Sequence, residues 1–315
     1  MEMLARLANL PGALPGACAQ GLIWGIMAIG VYLTYRILDV ADLTVDGSFG
    51  TGGAVLVMCM ISGMNVYVAL IIAFLAGCAA GFVTGIFHTK FGIPAILAGI
   101  LTQIALYSIN LRILGDKANQ PISVMQYDLL VSLRYIPKTL IVGAIFSVLL
   151  IAVLYWFFGT ETGMSLRATG NNQNMARANG INTNVNKIVG LTLSNGIVAL
   201  SGALLAQYQG FADVNMGRGA IVIGLAAVII GEVVFGKLFK NFALRLLAVI
   251  FGGIIYYVVI SVVLVLGLNA NDLKLLTAII VALFLGVPYW RNKMKEKSLQ
   301  KKGRKKELPG GKENA

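Results

Sequence analysis

One histidine, three cysteines and thirteen acidic residues are all that this 315-residue chain offers to metal, thiol or acid–base chemistry. His88 stands without a second histidine and sits beside Lys90, so no His-based metal or catalytic constellation can be assembled. Cys18, Cys59 and Cys78 lie in or beside apolar runs without ligand spacing and read as small apolar packing residues. No G-x-x-x-x-G-K-[ST] sequence occurs, so nucleotide phosphates have no P-loop to rest in, and no serine has a G-x-S-x-G setting. No cofactor is expected. Charged residues make up only 12% of the chain while 58% are apolar, which excludes a soluble globular domain.

What is present is length without interruption: apolar runs of membrane-crossing size recur along almost the whole chain, and the mean hydropathy is +0.82. Lipid leaves isolated strands with unsatisfied backbone, so the expected class is all-α, a polytopic membrane protein of about eight to ten transmembrane helices. Spans are expected at 17–37, 48–63, 66–87, 93–113, 139–159, 188–209, 219–236, 245–267 and 273–289. Thirty-seven glycines, with small residues clustered in "AGCAAGFVTG" and "SGALLA", suit close helix–helix approach in lipid. Residues 1–16 form an uncleaved N-terminal segment in this reading, 17–290 a single membrane domain and 291–315 a tail. That tail carries ten Lys or Arg and three Glu, which places it in the cytoplasm by the positive-inside rule and opens it to anionic lipid. The net charge of +12 is therefore a topology signal and not a nucleic-acid signal.

Polar residues concentrate in two places. The first is "RILDVADLTVDGSFGTGGA", residues 36–54, where Asp39, Asp42 and Asp46 interrupt two apolar runs. Carboxylates near hydrocarbon face water, pair with a cation or sit at headgroups; Arg36, one turn before Asp39, is the nearby cation. Gly47, Gly50, Gly52 and Gly53 would allow the backbone to unwind, with Thr44, Ser48 and Thr51 capping freed amides, so a broken helix lining a polar cavity is expected. "ADVNMGRGAIVIGLAAVI", 212–229, faintly echoes 41–57, as paired interrupted segments of transporters do. Gln103, Asn110, Asn195 and Gln207 are further candidates for a solute route, together with Asp39, Asp42, Thr44, Asp46 and Ser48.

The second place is "TETGMSLRATGNNQNMARANGINTNVNK", 160–187, on the same side as the tail by counting spans. Asn171 or Asn172 can cap a short helix over 173–179 that Gly180 ends, and Asn182 to Asn184 can cap the entry to the next span.

"DVADLTVDGSFGTGGAV" resembles the "DLSVGS" signature region of permease subunits in ATP-binding-cassette importers of the branched-chain amino acid, ribose and nucleoside superfamily. Its "DLTVDGS" form is similar to permeases labelled tryptophan/tyrosine transport system permease. "FGIPAILAGILTQIAL" and "GLAAVIIGE" extend the resemblance over most of residues 20–290. The resemblance implies a type II importer permease fold and makes 160–187 the loop that docks on the ATPase. Gly163, Leu166, Arg167, Ala168, Gly170, Asn171, Ala176, Gly180 and Ile181 match its pattern; Ala176 would permit close approach, and Arg167 and Arg177 would meet acidic groups. It further implies separate ATPase subunits, an extracytoplasmic substrate-binding protein, a homodimer or a pair with a similar permease, a bacterial cytoplasmic membrane, and a small organic solute such as an amino acid. From the residues alone, an ion-gradient-driven secondary transporter using the aspartates and Glu232 is the competing expectation.

Overall fold

The computed structural model describes residues 10–123, 125–236, 238–239, 241–267 and, beyond these, 272, 275, 277–279, 281–283 and 286. The expected span 273–289 falls mostly outside the described residues, and the tail from 291 falls there entirely. Ten α-helices appear in order: α1 (Leu10–Tyr32), α2 (Thr44–Ile61), α3 (Val66–Thr89), α4 (Ala95–Ile113), α5 (Ile136–Phe157), α6 (Glu161–Asn171), α7 (Gln173–Ala178), α8 (Thr183–Gln209), α9 (Ala220–Phe235) and α10 (Phe242–Val265). Seven are long and apolar enough to cross a membrane, α1 continuing into a π-helical turn, Leu33–Ile37, while α9 is a shorter apolar helix.

The post of the bundle is α8, most of whose residues are buried. It meets α3 through a ladder of glycines: Gly85 lies on Ile188, Gly81 on Leu191 and Gly77 on Asn195 and Ala199. On another side it meets α2, where Gly52 abuts the Ala199 carbonyl and Gly202 abuts that of Phe49. Lipid tails are as apolar as these side chains, so the association rests on shape and close backbone approach, which only small residues permit. The first-span helix α1 packs on α8 through Gly30 and on α10 through Gly21 and Gly25. By contrast α5 leaves most of its surface uncovered, with Ile141, Val148 and Trp156 exposed.

The glycine-rich stretch after Asp46 is therefore not unwound, as the sequence suggested; it is regular α2 helix. Within lipid every backbone group needs an internal partner, and the glycines serve contact with neighbouring helices while the helix stays intact. The break lies just before, at residues 38–43, where Asp39 adopts a left-handed backbone (φ +54°).

One element lay outside the expectations. Asn119–Pro121 (β1) pairs antiparallel with Phe211–Asp213 (β2), with Gln120 opposite Ala212, tying the long connection after α4 to the end of α8.

Substitution of Gly52 by leucine is expected to lower the apparent unfolding temperature of the detergent-solubilised chain, since overpacking costs about 1–3 kcal/mol and here the obstacle is backbone. Gly12→Ala, at a helical position with open space around it, should leave that temperature unchanged or raise it.

Candidate functional site

The helix break carries its own cap. Asp42 is buried (3% exposed); its Oδ1 accepts from the Thr44 amide at 2.9 Å, starting α2, and its Oδ2 accepts from Asn195 Nδ2 at 2.6 Å. Asn195 in turn accepts from Ser48 Oγ at 2.7 Å through its amide oxygen. A side-chain amide, which donates through its nitrogen and accepts through its oxygen, thus joins the break to the middle of α8. Beside it a hydroxyl ladder crosses three helices: Thr44 to Thr84 at 2.8 Å and Thr84 to Thr102 at 2.9 Å.

One turn on, Asp46 faces the other way. Its two carboxylate oxygens accept from the Gly219 and Ile221 amides, both at 2.9 Å, so an α2 side chain caps the N-terminus of α9. Orphan amides and the positive end of the helix dipole make this a favourable seat for a carboxylate. It also gives the echo between 41–57 and 212–229 a physical content, because the two segments meet at this cap, with Gly217 against the Asp46 carbonyl.

Around the cap lies a cavity of about 330 Å³ lined by Asp46, Gln103, Tyr107, Asn110, Asn215 and Arg218 among others. Asn110 donates to the Gly47 carbonyl at 3.4 Å, while its buried Oδ1 has no partner. Arg218 is exposed and makes no salt bridge among the described residues.

The candidate route residues accordingly separate. Asp46, Gln103 and Asn110 line the cavity, and Asp42, Thr44, Ser48 and Asn195 form the polar junction behind it. Gln207 lies elsewhere: its Oε1 accepts from the Leu130 amide at 3.0 Å and anchors the long connection. Asp39 belongs to a different cavity with Arg36, and Arg36 pairs with Glu232 at 3.0 Å instead of with Asp39. Sequence reasoning passed over Arg218 and Tyr107; the signal available was an isolated cation inside the Gly-rich half of the echo.

At the other end of the break, residues 160–182 fold as two helices. Thr160 caps α6, Asn172 caps α7 by accepting from Met175 N at 3.0 Å, Gly180 takes the left-handed position (φ +78°), and Asn182 caps α8. Gly163 abuts Phe157 and Gly170 abuts the Ile37 carbonyl, while Leu166 is buried. One expectation requires correction here. Ala176 is buried (2% exposed) and packs inward, so it offers no surface for close approach. Arg177 is exposed and donates through Nε to Thr183 Oγ1 at 2.9 Å, and Arg167 stacks over Phe242 at 4.0 Å from the ring centre; neither has an acidic partner among the described residues. The exposed face of the loop presents Asn171, Asn174, Met175, Ala178 and Gly180, with Ile181 half-buried.

Among the described residues, seven membrane-length helices, a cavity between α2, α4 and residues 214–218, and a folded polar loop at one end describe a multi-pass membrane protein. A family model, "Branched-chain amino acid transport system / permease component", matches residues 15–288, and the chain belongs to that family. The tyrosine transport system permease protein of Clostridioides difficile is 43% identical over 84% of this chain and 88% of its own length. An uncharacterized protein of Rickettsia prowazekii is 35% identical over 85% of this chain and 95% of its own. The autoinducer 2 import system permease of Escherichia coli is 30% identical over 68% of this chain and 61% of its own. Among solved structures, PsaBC from Streptococcus pneumoniae in complex with Fab shares the fold, with a TM-score of 0.51 and 16% identity over 90% of this chain and 94% of that one. The chain is a transmembrane permease subunit of an ATP-binding-cassette importer, and the family implies ATPase and substrate-binding partners.

Replacing Asn195 by leucine leaves Asp42 buried without its amide donor and Ser48 without its acceptor. A loss of about 3–5 kcal/mol is expected, read as a lowered denaturant midpoint in detergent. Asn172→Ala should cost about 1 kcal/mol locally and speed amide hydrogen exchange over 173–178 without moving that midpoint.

Proposed function

We propose that this permease moves a small amino acid, with an aromatic side chain as the leading candidate, along a route bordered by the Asp46 cavity. It works as a pair of copies with two ATPase subunits docked on α6–α7. The observation that carries the reading is the cavity itself. About 330 Å³ lies at the small end of the roughly 300–1,000 Å³ typical of small-molecule sites, and it presents both a carboxylate and an unpaired guanidinium. A zwitterion needs both signs. The name of the relative from Clostridioides difficile supports the choice of an aromatic amino acid.

The α6–α7 end is cytoplasmic in this proposal, as is the C-terminus, with the binding protein delivering solute near β1 and β2. Docking on α7 would press on α6, whose Gly170 sits on the Ile37 carbonyl; Leu38 and Leu166 both lie against Gly190. From there residues 38–46 lead directly to the Asp42 junction and the Asp46 cap. ATP-driven closure of the partners would thereby bias two arrangements of the break, in the manner of a two-state element shared by two sites.

Uptake by the complete transporter in proteoliposomes tests this. Arg218→Gln is expected to slow amino acid uptake at least about tenfold while ATPase association persists. Met175→Glu, on the exposed face of α7, is expected to release the ATPase subunits from an otherwise folded permease. Full uptake by Arg218→Gln would remove the cavity from the route, and full association by Met175→Glu would remove α7 from the docking surface.

A further inference from the structure

A second, larger cavity of about 1,100 Å³ opens at the α6–α7 end, between the end of α1, the last turn of α5, α6 and the start of α10. Its walls include Arg36, Asp39, Arg167 and Arg245. Arg36 is neutralised by Glu232, and Asp39 sits at an exposed position of the rim. Arg167 and Arg245 remain: among the described residues neither has a carboxylate within salt-bridge distance. Desolvation first, and the nearby Arg245 charge after it, hold the Arg167 guanidinium below the usual arginine range, with the neighbouring Tyr32 acting in the opposite sense. Arg167 is half-buried and Arg245 is exposed beside Tyr32, so the walls carry three guanidiniums, one of them paired with Glu232, against the single lining carboxylate of Asp39, a net positive charge that an anion would balance.

The position of the cavity says where that anion comes from. Tyr155 lines it, and Tyr155 and Trp156 are 52% and 71% exposed on α5, the helix with the least covered surface. Exposed Tyr and Trp at the end of a lipid-facing helix mark headgroup depth. The Arg167 guanidinium is held by Phe158 and Phe242 beneath it, at 5.1 and 4.0 Å from the ring centres, so it is presented in a fixed orientation. Basic cavities between transmembrane helices at headgroup level are suited to phosphate-bearing lipid heads.

We infer that the cavity between α1, α5, α6 and α10 is a binding site for the phosphate headgroup of an anionic phospholipid, gripped by Arg167 and Arg245 with its acyl chains along α5. Because α6 forms one wall, a bound headgroup would link the lipid annulus to the loop at that end of the molecule.

Native mass spectrometry of the delipidated full chain, titrated with phosphatidylglycerol or phosphatidylcholine of equal acyl composition, tests this. Phosphatidylglycerol is expected to bind one site about tenfold more tightly, and the Arg167→Gln/Arg245→Gln variant to lose that preference while still binding both lipids weakly. Equal affinity of the unaltered chain for the two lipids overturns the inference, and does so even if the double variant fails to fold. An undiminished preference in a folded double variant overturns it as well. Inorganic phosphate raising the unfolding temperature of the lipid-free chain, with phosphatidylglycerol giving no preference, would assign the cavity to a soluble phosphate. Loss of ATPase association in the double variant without any lipid preference in the parent would assign it to protein docking.

Discussion

The amide of Asn195 holds the break between α1 and α2 in register. It lies near the middle of α8, donates to Asp42 and accepts from Ser48, so the point where the chain leaves α1 and re-enters the bundle as α2 is fastened to the central post. A buried carboxylate without such a donor costs several kcal/mol, and Ser194 and Ser201 of α8 add hydroxyl bonds to the Gly30 and Ile23 carbonyls of α1 on another side. The glycine ladders set how close α2 and α3 approach; the polar junction sets the depth at which they do so.

The segment that this junction pins touches both ends of the proposed mechanism. Below it Gly170 and Leu38 join α6 to the π-helical end of α1; above it Asp46 seats the N-terminus of α9 beside the cavity. Over fewer than ten residues the chain thus touches the loop proposed to meet the ATPase, the central helix and the proposed solute route. In the proposed mechanism a push at the α6 end would reach the cavity by shifting this short segment, with no need for a wire of side chains across the bundle.

How much of this was legible depended on which physics set each feature. Membrane-crossing helices follow from hydropathy and the need to satisfy backbone in lipid, so α3, α4, α5 and α10 lie close to their expected spans. The caps at Asn172, Gly180 and Asn182 are local chemistry, and residue type alone placed Gly180 and narrowed the others to Asn171 or Asn172 and to 182–184. The glycines of α2 were misread because their role is set by Ala199 and other residues far along the chain, not by their neighbours. For the same reason Arg36 was matched to Asp39 by proximity in sequence, although Glu232 on α9 is its partner. Gln207 looked like a pathway group until the long connection after α4 supplied Leu130. Residue type marked the polar positions; only the packing says which face the same space.

The most direct measurement is a spin-label distance between positions 107 and 215, which line the Asp46 cavity from α4 and from the segment before α9, in the complete transporter with and without a non-hydrolysable ATP analogue. If the break transmits closure of the ATPase subunits to the cavity, the distance distribution shifts on nucleotide binding, and the Asn195→Leu substitution blunts the shift. An identical distribution in both states, with the ATPase subunits bound and closed, would contradict the coupling of α6–α7 to the cavity.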